Sequence, residues 1–443
     1  MWTLSAAKIR DLEKNYDTAK GSPVFTACGK YTSRGWTEWT QGFQYGSALL
    51  QFDAAGEEEF LLSGRRNTVE RMAAHLTHTG VHDHGFNNVS TYGNLLRMAG
   101  EGRYRAEPWE RRFYALALRC SGAVQASRWT ELPDGGFIRS FNGPHSLFAD
   151  TVRSLRSLAV AHRLGHVLLG ENDRRIPLLD RLMKHARATA RYAVYYGEGR
   201  DAYDVSGRVA HESVFNVTDG KYRCPNSQQG FSPFSTWTRG LAWIILGFAE
   251  ELEFLSSLDP AELAPYGGAE AVKKELRKTL DATCGFWVDN TPLDGIPYWD
   301  TGAPGLERLG DWRARVSEPY NDHEPIDSSA AAIACQGLLR YGHWLQAGPD
   351  PAAGKRWEAA GLTVLNALLA EPYLSTSRDH QGLLLHSVYH RPNGWDLVPD
   401  GRKVPCGESS MWGDYHLREA ALYVQRLARG EPYFTFFNVK EEA

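Results

Sequence analysis

The feature that most limits how this chain can fold is an alternation of two kinds of helix. About twelve segments carry apolar residues at helical spacing. Those near 2–19, 56–78, 106–125, 173–196, 265–283 and 352–370 have one charged face, as in LRKTLDATC and RLMKHARATARYAV. Those near 39–52, 85–99, 147–166, 238–255, 327–346 and 411–429 are small, aromatic and apolar, as in SSAAAIACQGLLRYGHWL. A helix with one polar face lies against solvent, and one that is apolar all round is buried. Six outer and six inner helices in strict alternation predict an all-α fold, an (α/α)6 barrel whose inner helices ring a central axis. A solenoid of helical hairpins would have more even repeats than these unevenly spaced inner segments. Strand signals are confined to short pieces such as 136–140, expected in loops, and the whole chain, 1–443, is expected to form one barrel domain.

Alternation also says where a site must lie. All outer-to-inner connections of such a barrel emerge on one rim. The long, irregular ones, 197–237, 285–326 and 371–411, are dense in Gly, Pro, Asp, Trp and Tyr. Connections of that length commonly carry function. They are expected to build a cleft over the amino ends of the inner helices, where free amides and partial positive charge suit an anionic ligand. One inner segment, STWTRGLAWIILGFAE from Ser235 to Glu250, shows this end clearly. Ser235 and Thr236 read as caps. Leu241, Ile244, Ile245 and Phe248 form its apolar face, and Trp237, Arg239 and Trp243 its amino end, with Gln229 just upstream. Indole faces stack on sugar rings and a guanidinium takes an acidic group. The competing reading is a core helix with a snorkelling arginine. The 14 tryptophans of the chain favour the sugar platform weakly, since large cores are also aromatic.

Several function classes lack support. The net charge of −4, with no basic arm or stripe, argues against a nucleic-acid partner. No run of about 18 apolar residues occurs, so no membrane span is expected. The start, MWTLSAAKIRDLEKNY, reads as an amphipathic helix rather than a signal peptide. The six cysteines are scattered without metal-type spacing and are expected to be free, mostly buried thiols. A cytoplasmic location is expected on that basis, or a periplasmic one if a leader was removed. No GxSxG, P-loop or dinucleotide fingerprint stands in the right context, which leaves acyl, phosphoryl and hydride chemistry without support.

Two aspartates fall at the level of the rim. Asp83 lies in HDHGF before the fourth helix, and Asp150 lies in the first turn of the sixth, after FNGPHSLFAD. Either alone reads as a helix cap. Two of them entering one aromatic pocket suit work at a glycosidic centre, one protonated and one ionised. A helix amino end favours the charged form, so a general acid there must be kept protonated by burial or by its partner's charge. The HDH triplet raises the thought of a metal, but alternate side chains in an extended segment diverge and no partnering ligand set follows. Asp322 and His323 get the same answer, and no metal is expected. Asp327-Ser328-Ser329 reads as a helix cap. Trp412 or Asp414, at the start of the last inner helix, either lines the pocket or packs behind it.

Together STWTRGLAW, PIDSSAAAIACQGLL, GLLLHSVYH with WGDYHLREAAL, and HDHGF resemble the unsaturated glucuronyl hydrolases, glycoside hydrolase family 88. The resemblance runs from WTQGFQYG near Trp39 to the last inner helix. The unsaturated rhamnogalacturonyl hydrolases share the barrel but fit the TRGLAW and SSAAAIA stretches less well. The resemblance implies removal of a 4,5-unsaturated uronic acid from the non-reducing end of lyase-generated oligosaccharides, by hydration of the vinyl ether, without metal or organic cofactor. It implies Asp150 as general acid/base with Asp83 as essential partner, and His211, Gln229, Arg239 and Trp243 as substrate contacts. Trp39 matches an aromatic near the uronate ring and Phe141 a stacking position usually held by Trp. The implied partner is the oligosaccharide, with no nucleic acid and no membrane; no oligomeric state follows. Leu241 replaces a common Gln, and 390–410 is longer than usual, with Arg391, Arg402 and Lys403 placed to read a sulfate or a second carboxylate unless they are solvated loop charges. A sugar epimerase would use histidines where the aspartates stand, and a non-catalytic sugar binder would need neither aspartate.

Overall fold

The computed structural model describes residues 1–35 and 38–439. The inner helices are Gln41–Ala55, the three-part run His84–Asn88, Val89–Gly93 and Asn94–Gly100, the pair Thr151–Ser154 and Arg156–Arg163, then Thr238–Ser256, Ser328–Gln346 and Met411–Ala428. They pack side by side in chain order, and the last closes on the first. Around them lie Trp2–Asn15, Glu58–Arg71, Pro108–Ser127, Leu178–Tyr192, Ala269–Asp289 and Pro351–Leu368. The chain is an all-α (α/α)6 barrel, as the alternation predicts.

Inner helices approach closely where glycine removes the side chain. A Cβ on Gly337 would lie 2.8 Å from the backbone of Leu246 on the neighbouring inner helix. One hydrophobic cluster runs through the barrel from Ala6 to Phe437. Its axis is not uniformly apolar. Arg153, Arg156 and Glu419 are buried together, with Arg153 also paired to Glu250, and Arg340 lies 2.7 Å from Glu253. Buried charges survive only when paired in this way. At the closed end Arg97 and Arg156 stack on Phe434 and Phe436, each 5.1 Å from the ring centre.

Several local expectations need correction. The sixth helix starts at Thr151 rather than 147, because Ser146–Phe148 is a strand. That strand, Glu212–Phe215 and Tyr222–Asn226 form a three-stranded antiparallel sheet on the rim. The strand piece near 136–140 is Gly135–Ile138, in a hairpin with Trp129–Leu132. Ser235 and Thr236 do not cap the Thr238–Ser256 helix. Its N-cap is Trp237, while Thr236 Oγ1 accepts from the amide of Val209 at 3.2 Å and Ser235 Oγ donates to the carbonyl of Ser232 at 3.2 Å. The cysteines are free, but Cys28 and Cys224 are exposed and only Cys284, Cys335 and Cys406 are buried. No helix among the described residues is long and apolar enough to cross a membrane.

Candidate active site

A cavity of about 230 Å3 opens on the rim over the amino ends of the inner helices. Asp83, Asp150, Trp39, Phe141, Gln229, Arg239 and Trp243 line it, together with His82, Phe86, Trp237, Tyr389 and Trp395. A larger cleft of about 370 Å3 lies between outer helices, but its Glu198 and Glu275 are ion-paired to Lys278 and Arg187.

Local folding brings the two aspartates together. Each is the N-cap residue of its helix, yet neither side chain accepts a capping bond. The carboxylates are therefore free of the commonest task of an aspartate in this position. The helices that follow them start in backbone contact. The Gly85 amide donates to Ser154 Oγ at 2.8 Å, and a Cβ on Gly85 would lie 2.3 Å from the Ser154 carbonyl. On the other side, the amide of Ala149 donates to the carbonyl of His211 at 2.9 Å, which sets Asp150 beside His211.

His82 stands between the carboxylates. Its Nε2 is 3.8 Å from Asp83 Oδ1 and 3.6 Å from Asp150 Oδ1, distances of ion pairs rather than hydrogen bonds. Its ring stacks on Phe141, with centroids 6.0 Å apart and planes at 25°. Burial works against charge on His82, but Asp83 and then Asp150 outweigh it and raise the imidazole's pKa. Burial raises the Asp83 carboxyl above its usual range, with Asp150 adding and His82 opposing. Burial also acts to raise Asp150, but His82 and then His211 outweigh it and hold that carboxyl below the usual range. The environment thus splits two like groups into one inclined to hold a proton and one inclined to release it.

The walls are aromatic. Trp39 stacks on Trp412, centroids 5.1 Å apart, and Trp243 packs on Phe86 at 4.9 Å. Trp412 is fully buried behind Trp39, and its indole donates to Ser329 Oγ at 2.9 Å. Asp414 accepts from the amides of Leu383 and Leu384 and from the Tyr31 hydroxyl. Trp412 therefore backs the pocket wall, while Asp414 lines a separate cavity beside Lys8 and Tyr31 and does not enter the pocket.

Arg239 differs from the expectation of a guanidinium free to take an acid. Its Nη1 donates to Asp327 at 2.8 Å and to the carbonyl of Val388; its Nη2 donates to Gln229 Oε1 at 3.0 Å and to the carbonyl of Tyr389 at 2.7 Å. Its terminal N–H groups are all taken, and the side chain is clamped between the rings of Trp237 and Trp412. Arg239 braces the pocket, fixing Gln229 so that the amide nitrogen is the end left for a ligand. Asp327 caps the Ser328–Gln346 helix as expected and also anchors this arginine. His211 lies behind the lining, its ring between Phe148 and Trp237. Its Nδ1 accepts from the amides of Gln228 and Gln229 at 3.0 and 3.3 Å, which puts the proton of the neutral ring on Nε2. Burial pushes its pKa down to about 4.

The long 390–410 segment contributes His390, Asn393 and Trp395 to the lining, but not its cations. Lys403 lies 3.3 Å from Asp322, and Arg402 donates to the carbonyl of Tyr320 at 3.1 Å. Sequence reasoning missed His82, Tyr389 and Trp395. His84 opens the helix after Asp83 and turns away to Ser121 and the carbonyl of His78, which leaves His82 with the aspartates. Among the described residues no group of three or more His, Cys, Asp or Glu could hold a metal ion.

Curated relatives match along most of the chain. The unsaturated glucuronyl hydrolase of Bacillus sp. (strain GL1) is 26% identical over 414 residues, covering 93% of this chain and 92% of that protein. The chain is a homologue of the unsaturated glucuronyl hydrolases. The expected class of enzyme, a glycosidase, holds with that kinship. The unsaturated chondroitin disaccharide hydrolase of Streptococcus pyogenes serotype M1 is 25% identical over 394 residues, covering 87% of this chain and 81% of that protein. Among solved structures, an unsaturated glucuronyl hydrolase specific for heparin superposes with a TM-score of 0.73 at 18% identity, covering 98% of each chain, which supports the barrel fold. No protein-family model matches the chain.

Proposed function

We propose that this protein removes a 4,5-unsaturated uronic acid from the non-reducing end of lyase-generated oligosaccharides, with the whole chain serving as one catalytic domain. The observation that carries the reading is the pair Asp83 and Asp150, joined through His82 in an aromatic cavity of about 230 Å3. Sites for drug-sized ligands usually run to roughly 300–1,000 Å3, so this one suits a single sugar ring and removal of one terminal residue at a time. Trp39 and Trp243 supply stacking faces, the Gln229 amide a donor for the uronate, and Arg239 the brace that orients it.

Asp150 acts as general acid and base, assisted by Asp83. The Asp150 carboxyl is held below its usual range, chiefly by His82 against the effect of burial. A bound uronate changes that balance: its carboxylate adds negative charge and its ring excludes water, and both favour the protonated acid. Asp150 then protonates C4 of the vinyl ether, which leaves an oxocarbenium centre at C5. Water adds to C5 as the same carboxylate takes its proton. The hemiketal opens to a C5 ketone, and the hemiacetal left at C1 collapses to release the reducing partner. Trp395, Asn393 and His390 also line the cavity, and relatives named for chondroitin and heparin substrates suggest glycosaminoglycan fragments as the first to try.

The test is ultraviolet absorbance of the conjugated C4=C5 bond over time, with a panel of lyase-generated disaccharides and with native protein beside Asp150→Asn. Decay with native protein alone supports the reading and begins to name the polysaccharide. A rhamnogalacturonan-derived member separates the rhamnogalacturonyl alternative. No decay on any member contradicts the reading.

A further inference from the structure

We propose that His82 is the positioning residue of the carboxylate pair, a buried imidazole that fixes the Asp83–Asp150 geometry and shares one proton with the two carboxyls. The inference rests on the reading of Asp83 and Asp150 as the acid and base, and it goes beyond it by assigning a role to the group that joins them.

Three observations carry it. The His82 side chain is 1% exposed, and neither ring nitrogen has a hydrogen-bond partner. A polar ring buried without partners costs free energy, so a compensating interaction is required. The compensation on view is electrostatic, from Asp83 at 3.8 Å and Asp150 at 3.6 Å. Asp150 Oδ1 is likewise buried without a hydrogen bond, so each is the other's main polar neighbour. Finally, Phe141 stacks on one face of the ring and Phe148 meets it edge-on at 5.6 Å, which holds the imidazole in place without competing for its nitrogens.

Other charged groups near His82 do not replace this pairing. Arg128 opposes the cation, and burial keeps His185 and His211 neutral, with values pushed down to about 3 and about 4. Two aspartates and one histidine then share one proton. It resides on His82 when both carboxyls are ionised, or on Asp83 when the ring is neutral, and the net charge is the same in either case. His84, its near neighbour in sequence, has partners on both nitrogens and takes no part.

The test has two arms. In the first, His82→Gln keeps most of the volume but cannot carry charge, and His82→Asn serves if the larger replacement folds poorly. The expected result is a fall in kcat of ~10–100-fold, the scale of a misplaced reacting group, with KM changed far less. The pH profile should narrow from both sides. The acidic limb moves up because Asp150 loses the cation that favours its ionised form. The basic limb moves down because a carboxyl alone must now hold the proton. A loss of activity with both limbs unmoved would assign His82 a packing role only and overturn the proposal.

The second arm needs no substrate. Histidine-labelled protein is titrated by NMR, with the His82 signal identified by its absence in the variant. His82 should titrate above the ordinary ~6.5, and lower in both Asp83→Asn and Asp150→Asn. Titration at or below the ordinary value, or indifference to both aspartates, overturns the proposal whatever the enzyme acts on. A native protein inert on every disaccharide would instead overturn the functional reading while this arm still decides the bridge.

Discussion

Gly85→Ala tests how the barrel sets the spacing of the two carboxylates. Gly85 follows Asp83 by two residues, and its Cβ position lies 2.3 Å from the Ser154 carbonyl and 2.6 Å from the Ser154 Cα. Ordinary contact begins near 3.4 Å, so the two helix starts must separate by about 1 Å. The clashing atoms are backbone, so no side chain can swing aside to relieve the contact. Overpacking of this kind costs about 1–3 kcal/mol. The same movement lengthens the Gly85 amide bond to Ser154 Oγ, now 2.8 Å, and shifts Asp83 relative to Asp150. Misplacement of reacting groups by about 1 Å costs ~100-fold in rate. Thermal melting and steady-state kinetics on the unsaturated disaccharide should therefore show a modest loss of stability and a much larger loss of kcat. Gly100→Ala is the control, because nothing lies within 4 Å of its Cβ position, and it should leave kcat unchanged and stability native or slightly higher. A Gly85→Ala protein with native kcat would refute the link between this contact and the carboxylate spacing. Native stability as well would refute the packing argument itself.

Arg239→Lys should be destabilising despite its conserved charge, because a lysine cannot reach Asp327, Gln229 and two carbonyls at once. The loss is on the order of 3 kcal/mol, because Asp327 loses its close guanidinium contact or the Val388 and Tyr389 carbonyls lose their donors, read as a shift in the chemical denaturation midpoint; an unchanged midpoint would contradict the bracing role. His84 gives a pH-dependent prediction. Burial pushes its pKa down to about 4. The unfolded chain protonates below ~6.5, so this histidine's stabilising share is complete above that pH and is lost as pH falls toward the folded value. Between pH 7 and 5, His84→Gln should lose less stability than the native protein, by about 2 kcal/mol. An identical pH dependence in the two proteins would show that His84 does not titrate as its burial requires.

The architecture was legible because the core leaves a periodic trace. Inner segments such as 327–346 and 411–429 match Ser328–Gln346 and Met411–Ala428 within a residue, since helix ends there coincide with capping residues Asp327 and Ser410. The start of the sixth helix was misplaced because Ser146–Phe148 is as apolar as a helix turn and becomes a strand only by pairing with Glu212–Phe215, a contact distant in sequence. Short apolar runs cannot be assigned by periodicity alone. The polar axis was hidden for a related reason. Arg153, Arg156 and Glu419 sit in otherwise apolar helices, and only their meeting in space explains their burial.

In the site, residue types were easier to read than their tasks. The aspartates, tryptophans and Gln229 enter one cavity, but Arg239 looks like a ligand-binding cation until Asp327, Val388 and Tyr389 are seen to occupy it. In HDH two histidines flanking an aspartate point first to a metal, which hides the role of His82 beside the carboxylates. A histidine between two carboxylates needs no recognisable spacing, since Asp150 reaches it from a different helix start.

The central claim is that cleavage proceeds by hydration across C4=C5, and isotope labelling tests it most directly. The disaccharide that first responds in the absorbance assay is digested in heavy water and, separately, in 18O water, and the released sugar is examined by mass spectrometry and NMR. Protonation by Asp150 followed by addition of water predicts deuterium at C4 and 18O on the C5 ketone, with neither label incorporated by Asp150→Asn. Oxygen-18 at C1 with no deuterium at C4 would mean ordinary displacement at the anomeric carbon and would contradict the account.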